Sequence, residues 1–290
     1  MRLVFVHGRD QQGKDPRRLQ KTWETALYRG LRSIGKNLPD DVEIAFPYYG
    51  DALDKLVKQV DAPLTTVVLT RGAGADDPQF AFRAAMLFEI ARRAGIRDKD
   101  IAAFYRGVSR EMGLQNADWV LAISRALDRT PLRAKVIDRL TRDVYVYLTY
   151  GGVQGQIDEI VAKEICQGPC VVVAHSLGTV VAYRVLKDAP SKPKVRLFET
   201  VGSPLALKAI KQKLGYPAMP VCAQRWFNGR DPKDIVALYP LDAKNFHTTP
   251  AIVNRSNVKN HTDNHHGIDG YLDDQVVAQE IFNALTKRVG

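Results

Sequence analysis

The hydrophobic positions along the chain change their period several times, and each change predicts a different kind of element. Short apolar runs at 2–6, 42–46 and 65–70 predict strands, whereas 17–35 and 52–60 carry apolar residues at helical spacing. Strands that alternate with helices in this way predict a parallel sheet with helices packed on its faces.

The middle of the chain follows a different pattern. From about 76 to 143 the apolar residues recur at helical spacing, without a convincing strand. Residues 144–147 alternate as a strand would, but the longer window around them favours a helix. We therefore expect a helical cap insertion at 76–143, carried by an α/β core of 1–75 and 144–290. The insertion could be ordinary scaffold or a lid that shapes a substrate pocket.

The alternation of strands and helices resumes after Gly151-Gly152, which we expect to break the helical pattern. The predicted elements are a helix over 153–166, a strand at 170–175, a helix from 177 to about 188, a strand at 195–201, a helix opening at Pro204 with Ser203 as its cap, strands at 222–227 and 251–254, and a last helix from Asp273.

One junction between a strand and a helix in this series has the residue types of a turn that carries a functional residue. The apolar run at 170–175 ends at Ser176, and a helical segment follows directly. A buried strand that enters a helix through so short a turn forces its turn residue into a strained conformation, and such strain marks functional residues. The small residues Ala174 and Gly178 allow a close approach of strand and helix. Ser176 is therefore a candidate nucleophile; the alternative is an ordinary serine in a βα loop.

A serine hydroxyl needs a base to take its proton, and the base needs an acid to orient it. In an open α/β sheet such groups gather beyond the carboxyl ends of the strands. The loop after a late predicted strand offers Asp231 and Asp234, and the polar segment before the last helix offers His265 and His266. The residue types alone leave both choices open.

The tetrahedral intermediate of acyl transfer also needs hydrogen-bond donors for its oxyanion. In a turn of this kind one donor is the backbone N–H of Leu177, and the second comes from the loop after the first strand, at Gly8 or Arg9. The Arg9 side chain could also face an anionic substrate, or it could be a solvated loop residue. We expect His175, beside the nucleophile, to point away from the base.

Several segments together resemble the lipase/esterase-like branch of the α/β-hydrolase superfamily. The resemblance lies in the nucleophile turn and helix at 174–183, the strand and Gly-Ser-Pro turn at 198–205, the acid segments at 226–228 and 234–237, the histidine loop at 266–272, and the dipeptide His7-Gly8. It covers residues 1–8 and about 150–290, and it leaves 9–150 without a counterpart.

This resemblance implies an α/β-hydrolase fold and a catalytic triad in the chain order Ser…Asp…His. It implies Ser176 as nucleophile, and it favours Asp234, which precedes an apolar-Val pair, and His266, from its spacing to Tyr271. The implied activity is hydrolysis of carboxylic esters or lipid acyl bonds through an acyl-enzyme, with no metal or other cofactor. A peptidase or thioesterase could use the same triad, and a catalytically silent binding protein could keep the fold.

Composition bears on partners and location. The net charge of +10 would favour an anionic substrate or peripheral contact with an anionic membrane. The basic residues are not interleaved with aromatics, so we expect no specific nucleic-acid binding. Three cysteines cannot all pair, and no segment approaches the ~20 apolar residues of a spanning helix. With its opening strand in place of a signal peptide, the chain is expected to be cytoplasmic.

Overall fold

A parallel sheet organises the part of the chain that the structure describes. The structure, a computed structural model, describes residues 1–60, 77–105, 113–114, 116–129, 134–189 and 193–287. Within those ranges the strands are β1 Arg2–Val6, β2 Glu43–Ala45, β3 Cys170–His175, β4 Val195–Val201, β5 Trp226–Gly229 and β6 Val253–Arg255. Their order is β2-β1-β3-β4-β5-β6, and each neighbouring pair is parallel. The predicted α/β class is confirmed; the strand predicted at 65–70 lies outside the described residues.

The helices of the described residues follow the predicted periodicity in most places. They are α1 Pro16–Ser33, α2 Gly50–Val60, α3 Pro78–Arg93, α4 Asp98–Ala102, α5 Ala117–Asp128, α6 Ala134–Thr149, α7 Gly151–Ile165, α8 Leu177–Asp188, α9 Lys208–Leu214, α10 Asp269–Leu272 and α11 Gln275–Thr286. Local chemistry explains some of these starts. Asp15 accepts hydrogen bonds from the free N–H groups of the first turn of α1, and Asp77 does so for α3.

Helices cover both faces of the sheet. Successive side chains of a strand point to opposite faces. In β1, Leu3 and Phe5 pack into an apolar cluster with α1 and α11, whereas Val4 and Val6 pack into a second cluster on the other face. All four side chains are fully buried. Burial on both faces explains why this strand reads as a continuous apolar run.

The helical block from α3 to α6 shares one apolar core with the sheet. Phe80, Ile123 and Leu140 belong to the same buried cluster as Val172 of β3. Residues 144–147 are helical, as the longer sequence window predicts. Helix α6 runs across the predicted boundary between core and insertion, so the division of the chain at 143 stays a prediction.

Several predicted element bounds differ from those of the structure. Helix α9 begins at Lys208 instead of Pro204, since residues 204–207 form a turn in which the Leu207 N–H donates to the Pro204 carbonyl at 2.9 Å. The strand predicted at 222–227 begins at Trp226, since residue 223 makes only an isolated bridge to Val195. The break between α6 and α7 lies at Tyr150, so α7 begins at Gly151 instead of residue 153.

The strand order reverses between β1 and β3. From β1 the chain moves outward to β2, and from β3 it moves the other way to β4, β5 and β6. The loops that leave β1 and β3 therefore run in opposite directions, and the crevice between such loops is where open α/β sheets bind ligands. The residues that follow β1 and β3, at 7–9 and 176–177, therefore lie at the mouth of this crevice.

Candidate active site

Ser176 occupies the sharp turn between β3 and α8. Its φ of 55° and ψ of −129° lie in a region that side-chain-bearing residues rarely adopt, as the sequence pattern predicts. The turn is closed by a hydrogen bond from the Thr179 N–H to the Ser176 carbonyl, at 2.9 Å. A Cβ at position 178 would lie 2.3 Å from the Val6 carbonyl oxygen, so only glycine lets α8 pass this close to β1.

Three polar side chains form a continuous hydrogen-bonded chain at this turn. His266 Nε2 lies 2.9 Å from Ser176 Oγ, and His266 Nδ1 lies 2.7 Å from Asp234 Oδ2. Ser176 follows β3, Asp234 lies in the loop after β5, and His266 precedes α10. Parallel strands end at one edge of the sheet, which is why residues so far apart in sequence come together.

The Asp234 carboxylate is held from several sides. Its Oδ1 accepts the N–H groups of Val236, at 2.7 Å, and Ala237, at 3.3 Å. Its Oδ2 accepts the Tyr271 hydroxyl at 2.6 Å in addition to His266. Burial alone would raise the pKa of Asp234, but the neighbouring His266 and these hydrogen bonds together lower it below its usual value. Asp234 is therefore an anion fixed in one orientation.

The ionised carboxylate fixes the tautomer of His266. An ionised carboxylate is an acceptor only, so the 2.7 Å contact places the proton on His266 Nδ1. In the neutral ring the lone pair is then on Nε2, which faces Ser176 Oγ. This is the arrangement in which an imidazole can take a proton from a hydroxyl.

The alternative acid and histidine have different contacts. Asp231 accepts the N–H groups of Lys233 and Asn260, both at 2.7 Å. His265 Nδ1 donates to the Asn260 carbonyl at 2.9 Å and lies 3.8 Å from Asp231 Oδ2. The Asn260 side chain in turn donates to the Gly267 carbonyl at 2.8 Å. Asp231 and His265 thus anchor the loop that carries His266.

The prediction for His175 is wrong. Its ring lies 4.6 Å from the ring of His266, and its Nε2 is 2.7 Å from the His266 carbonyl oxygen. Burial, together with the nearby His266, lowers the pKa of His175 to about 3, so the neutral ring donates this hydrogen bond through Nε2–H. The histidine loop folds back over the end of β3, and His175 holds the backbone of the residue it was expected to avoid.

The loop after β1 runs alongside the nucleophile. A Cβ at Gly8 would lie 2.8 Å from Ser176 Cβ, so a larger residue would displace the turn. His7 Nδ1 donates to the Gly8 carbonyl at 2.6 Å, while its Nε2 accepts the Tyr49 N–H at 3.1 Å. Burial lowers the pKa of His7 to about 4, which keeps this ring neutral.

This clamp sets the direction of one candidate oxyanion donor. The C=O and N–H of a trans peptide point in opposite directions, so the Arg9 N–H points away from the His7 ring. Among the residues that the structure describes, neither the Arg9 N–H nor the Leu177 N–H has a hydrogen-bond acceptor. The choice between the N–H groups of Gly8 and Arg9 as second donor stays a prediction.

The Arg9 side chain is not a solvated loop residue, and its contact with an anionic substrate stays a prediction. The side chain is 8% exposed, and its Nε donates to Asp143 Oδ2 at 2.9 Å. Its two terminal nitrogens donate to the two carboxylate oxygens of Asp10 at 2.6 and 2.8 Å. The guanidinium is thus neutralised by two carboxylates, and it ties the loop after β1 to α6.

A cavity of about 340 Å³ opens in front of Ser176 and His266. Its apolar walls come from α1, α6 and the loops after β5 and before α10, through Trp23, Ile137, Leu140, Ile235, Val236 and Ile268. A second cavity of about 280 Å³ shares Gly8, Arg9 and Asp10 with it and has mainly charged walls. Helix α6 therefore contributes an apolar side of the site.

The other histidines near the site are occupied individually. His261 Nε2 lies 2.7 Å from Asp273 Oδ2, whereas His265 and His266 bond to Asn260 and Asp234. In the described part of the chain, no group of three or more His, Cys, Asp or Glu side chains is arranged to hold a metal ion. Over the same residues, no helix combines the length and hydropathy that crossing a bilayer requires.

Comparisons with protein-family models, with curated proteins and with solved structures found no match for this chain. The geometry at the carboxyl ends of β1 and β3 is therefore the basis for assigning a function.

The sequence did not predict three contacts at this site: Tyr271 with Asp234, His7 with the Gly8 carbonyl, and Arg9 with Asp143. Tyr271 had entered only as a marker of spacing, and its partner lies 37 positions away.

Proposed function

We propose that the protein is a serine hydrolase that acts through an acyl-enzyme. The observation that carries this proposal is the hydrogen-bonded chain from Ser176 Oγ through His266 to Asp234, with distances of 2.9 and 2.7 Å. The strained turn at Ser176 and the unpaired N–H groups beside it support the same proposal. A nucleophile, an oriented base and oxyanion donors are the parts that acyl transfer requires.

In the first half of the reaction, Ser176 Oγ attacks the substrate carbonyl carbon while His266 Nε2 takes the hydroxyl proton. The carbonyl oxygen becomes an oxyanion that accepts hydrogen bonds from the Leu177 N–H and from Arg9 or Gly8. Collapse of this intermediate breaks the bond to the leaving group, which takes the proton from His266. The acyl group is then esterified to Ser176.

In the second half, water replaces the leaving group. His266 takes a proton from the water as its oxygen attacks the acyl carbon, and the new tetrahedral intermediate collapses to release Ser176 Oγ. His266 returns the proton to Ser176, and the carboxylic acid leaves. Asp234 remains ionised throughout and stabilises the protonated imidazole, a role to which its lowered pKa is suited.

The class of substrate that we propose is a carboxylic ester with an apolar acyl group, including lipid esters. The apolar walls from α1 and α6 support an acyl group at the cavity in front of Ser176. Its volume of about 340 Å³ is at the lower end of the usual range for ligand pockets, which favours short and medium chains. Thioesters and amides would use the same atoms, and a graded substrate panel separates them.

Labelling by a fluorophosphonate probe tests the proposal directly. We expect the wild type and Ser33→Ala, a change at the end of α1, to label, and Ser176→Ala to lose labelling. Hydrolysis of p-nitrophenyl esters of graded acyl length should follow the same pattern. A folded wild type that neither labels nor turns over esters would contradict the proposal and leave a hydrolase-fold binding protein. Equal labelling of Ser176→Ala would place the nucleophile elsewhere.

A further inference from the structure

Tyr271, on α10, makes a contact that the proposed reaction does not require. Its side chain is fully buried, and its hydroxyl lies 2.6 Å from Asp234 Oδ2. The same oxygen accepts His266 Nδ1–H at 2.7 Å. One carboxylate oxygen is therefore shared between the base and a phenol.

The direction of the Tyr271 hydrogen bond is fixed by its second contact. The Asp231 N–H lies 3.2 Å from the Tyr271 oxygen and can only donate. The phenol accepts there and gives its own proton to Asp234. Burial and the neighbouring Asp234 raise the pKa of Tyr271 well above its usual value, so the phenol remains a donor at neutral pH.

Packing leaves the two rings little freedom. Gly202 has a φ of +58°, and a Cβ there would lie 3.1 Å from atoms of both His266 and Tyr271. Both rings therefore pack against the backbone at the end of β4. Gly270, next to Tyr271, packs more tightly still, since a Cβ there would lie 2.2 Å from the Asn260 side chain. The tyrosine is held in place by packing, independently of its hydroxyl.

We propose that Tyr271 is a positioning residue that limits the basicity of His266 by sharing the negative charge of Asp234. The inference rests on the proposed function, because it assigns Tyr271 a role in setting the pH range of that reaction. A hydrogen bond donated to a carboxylate disperses its charge, so the carboxylate attracts the proton on a neighbouring imidazolium less strongly. His266 then becomes an unprotonated base at a lower pH than it would beside an unshared carboxylate.

Other charged or titratable groups face this cluster, and the test must leave them in place. They are His175 at the end of β3, Arg230 and Asp231 in the loop after β5, and His265 in the histidine loop. Tyr271→Phe removes one oxygen atom and leaves all four side chains and the ring packing on Gly202 intact. A shift in titration can therefore be attributed to the lost hydroxyl.

The experiment compares Tyr271→Phe with Tyr183→Phe in the full chain. Tyr183 is also a fully buried tyrosine whose hydroxyl accepts a backbone N–H, from Ala218 at 3.0 Å, but it lies in the other apolar cluster, away from Asp234. The readout is the NMR titration midpoint of the His266 ring, assigned with His266→Gln. We expect Tyr271→Phe to move this midpoint to higher pH by about 0.5 to 1 unit, and Tyr183→Phe to leave it unchanged.

The acid limb of kcat/KM for ester hydrolysis should move in the same direction by the same amount, because only unprotonated His266 acts as a base. A midpoint that stays in place or falls in folded Tyr271→Phe would overturn the inference, whatever happens to the rate. The NMR measurement needs no turnover. An inactive wild type would therefore contradict the proposed function, and the His266 midpoint would still test the role of Tyr271.

A second variant keeps the test decisive if Tyr271→Phe fails to fold. Site-specific 3-fluorotyrosine at position 271 retains the hydroxyl and makes it a stronger donor. The expected result is a His266 midpoint shifted to lower pH, opposite to the effect of Tyr271→Phe. An unchanged or raised midpoint in the fluorinated protein would overturn the inference.

Discussion

Two acid–histidine pairs stand side by side at the carboxyl edge of the sheet, and they have different contacts. In the first, His266 Nδ1 is 2.7 Å from Asp234, and the other ring nitrogen faces Ser176. In the second, His265 Nδ1 is 3.8 Å from Asp231 and bonds to the Asn260 carbonyl. The acids lie three positions apart in sequence, the histidines are consecutive, and both acids are buried.

The difference between the pairs shows that residue type and order do not by themselves define a site. Asp234 accepts hydrogen bonds from the side chains of His266 and Tyr271 as well as from backbone N–H groups, whereas the hydrogen bonds that Asp231 accepts come from backbone N–H groups. His265, with a φ of 54°, forms the bend that turns the next residue toward Ser176. Asp231 and His265 thus support the loop that carries His266.

The largest effect that we expect is the difference in kcat/KM between variants of the two histidines. His266→Gln should lower kcat/KM for ester hydrolysis by about 10⁴-fold or more, because Ser176 loses its base. His265→Gln should lower it only a few-fold, since the ring supports the loop without reaching the nucleophile. Steady-state kinetics with circular dichroism as a folding control provide the measurement. Equal losses in the two variants would break the distinction between the pairs.

For the two acids we expect a smaller difference. Substitution of Asp234 should lower the rate, whereas substitution of Asp231 should lower the stability. Asp234→Asn should lower kcat by about 10³- to 10⁴-fold with the fold intact, because the amide no longer fixes the tautomer of His266. Asp231→Asn should instead cost about 1 to 3 kcal/mol of unfolding free energy, since one backbone N–H loses its buried acceptor. Urea unfolding and kinetics on both variants test this division. A severe rate loss in a stable Asp231→Asn protein would contradict it.

Comparison with a third buried carboxyl group shows why Asp234 can be an anion. Glu199 of β4 is fully buried, and in the described residues neither of its carboxylate oxygens has a hydrogen-bond partner. Burial, with the nearby Glu280 adding repulsion, raises the pKa of Glu199 well above its usual value, the opposite of Asp234. Burial is the same at both positions; the donors differ.

This contrast predicts a dependence of stability on pH. Folded Glu199 keeps a proton that the unfolded chain releases above about pH 4.3, so its contribution to stability falls as the pH rises. The stability of Glu199→Gln relative to the wild type should therefore increase between pH 5 and 8, by up to about 1.4 kcal/mol per unit. Exposed Glu159→Gln is the control and should show no such slope. A flat difference for Glu199→Gln would mean that its carboxyl is ionised in the folded protein.

Local sequence patterns predicted most of the elements that position the site. The apolar run into Ser176 predicted β3, the strained turn and α8, because strand burial and a short turn are written in neighbouring residues. The same reasoning failed at 204–207, where Pro204 predicted the start of a helix, and at 222–225, which the predicted strand included. Whether the block at 76–143 is a lid stays a prediction, although Ile137 and Leu140 line the cavity.

By itself the sequence determined the parallel α/β sheet, the turn at Ser176 and the short set of acids and histidines that could serve it. These follow from periodicity and from chain order, which are local or one-dimensional properties. Only the tertiary structure placed His266, and not His265, between Ser176 and Asp234, brought His175 against the His266 ring, and placed the Tyr271 hydroxyl on the Asp234 carboxylate. Those outcomes depend on hydrogen bonds between loops that leave different strands, and their geometry exists only once the sheet has aligned the strand ends.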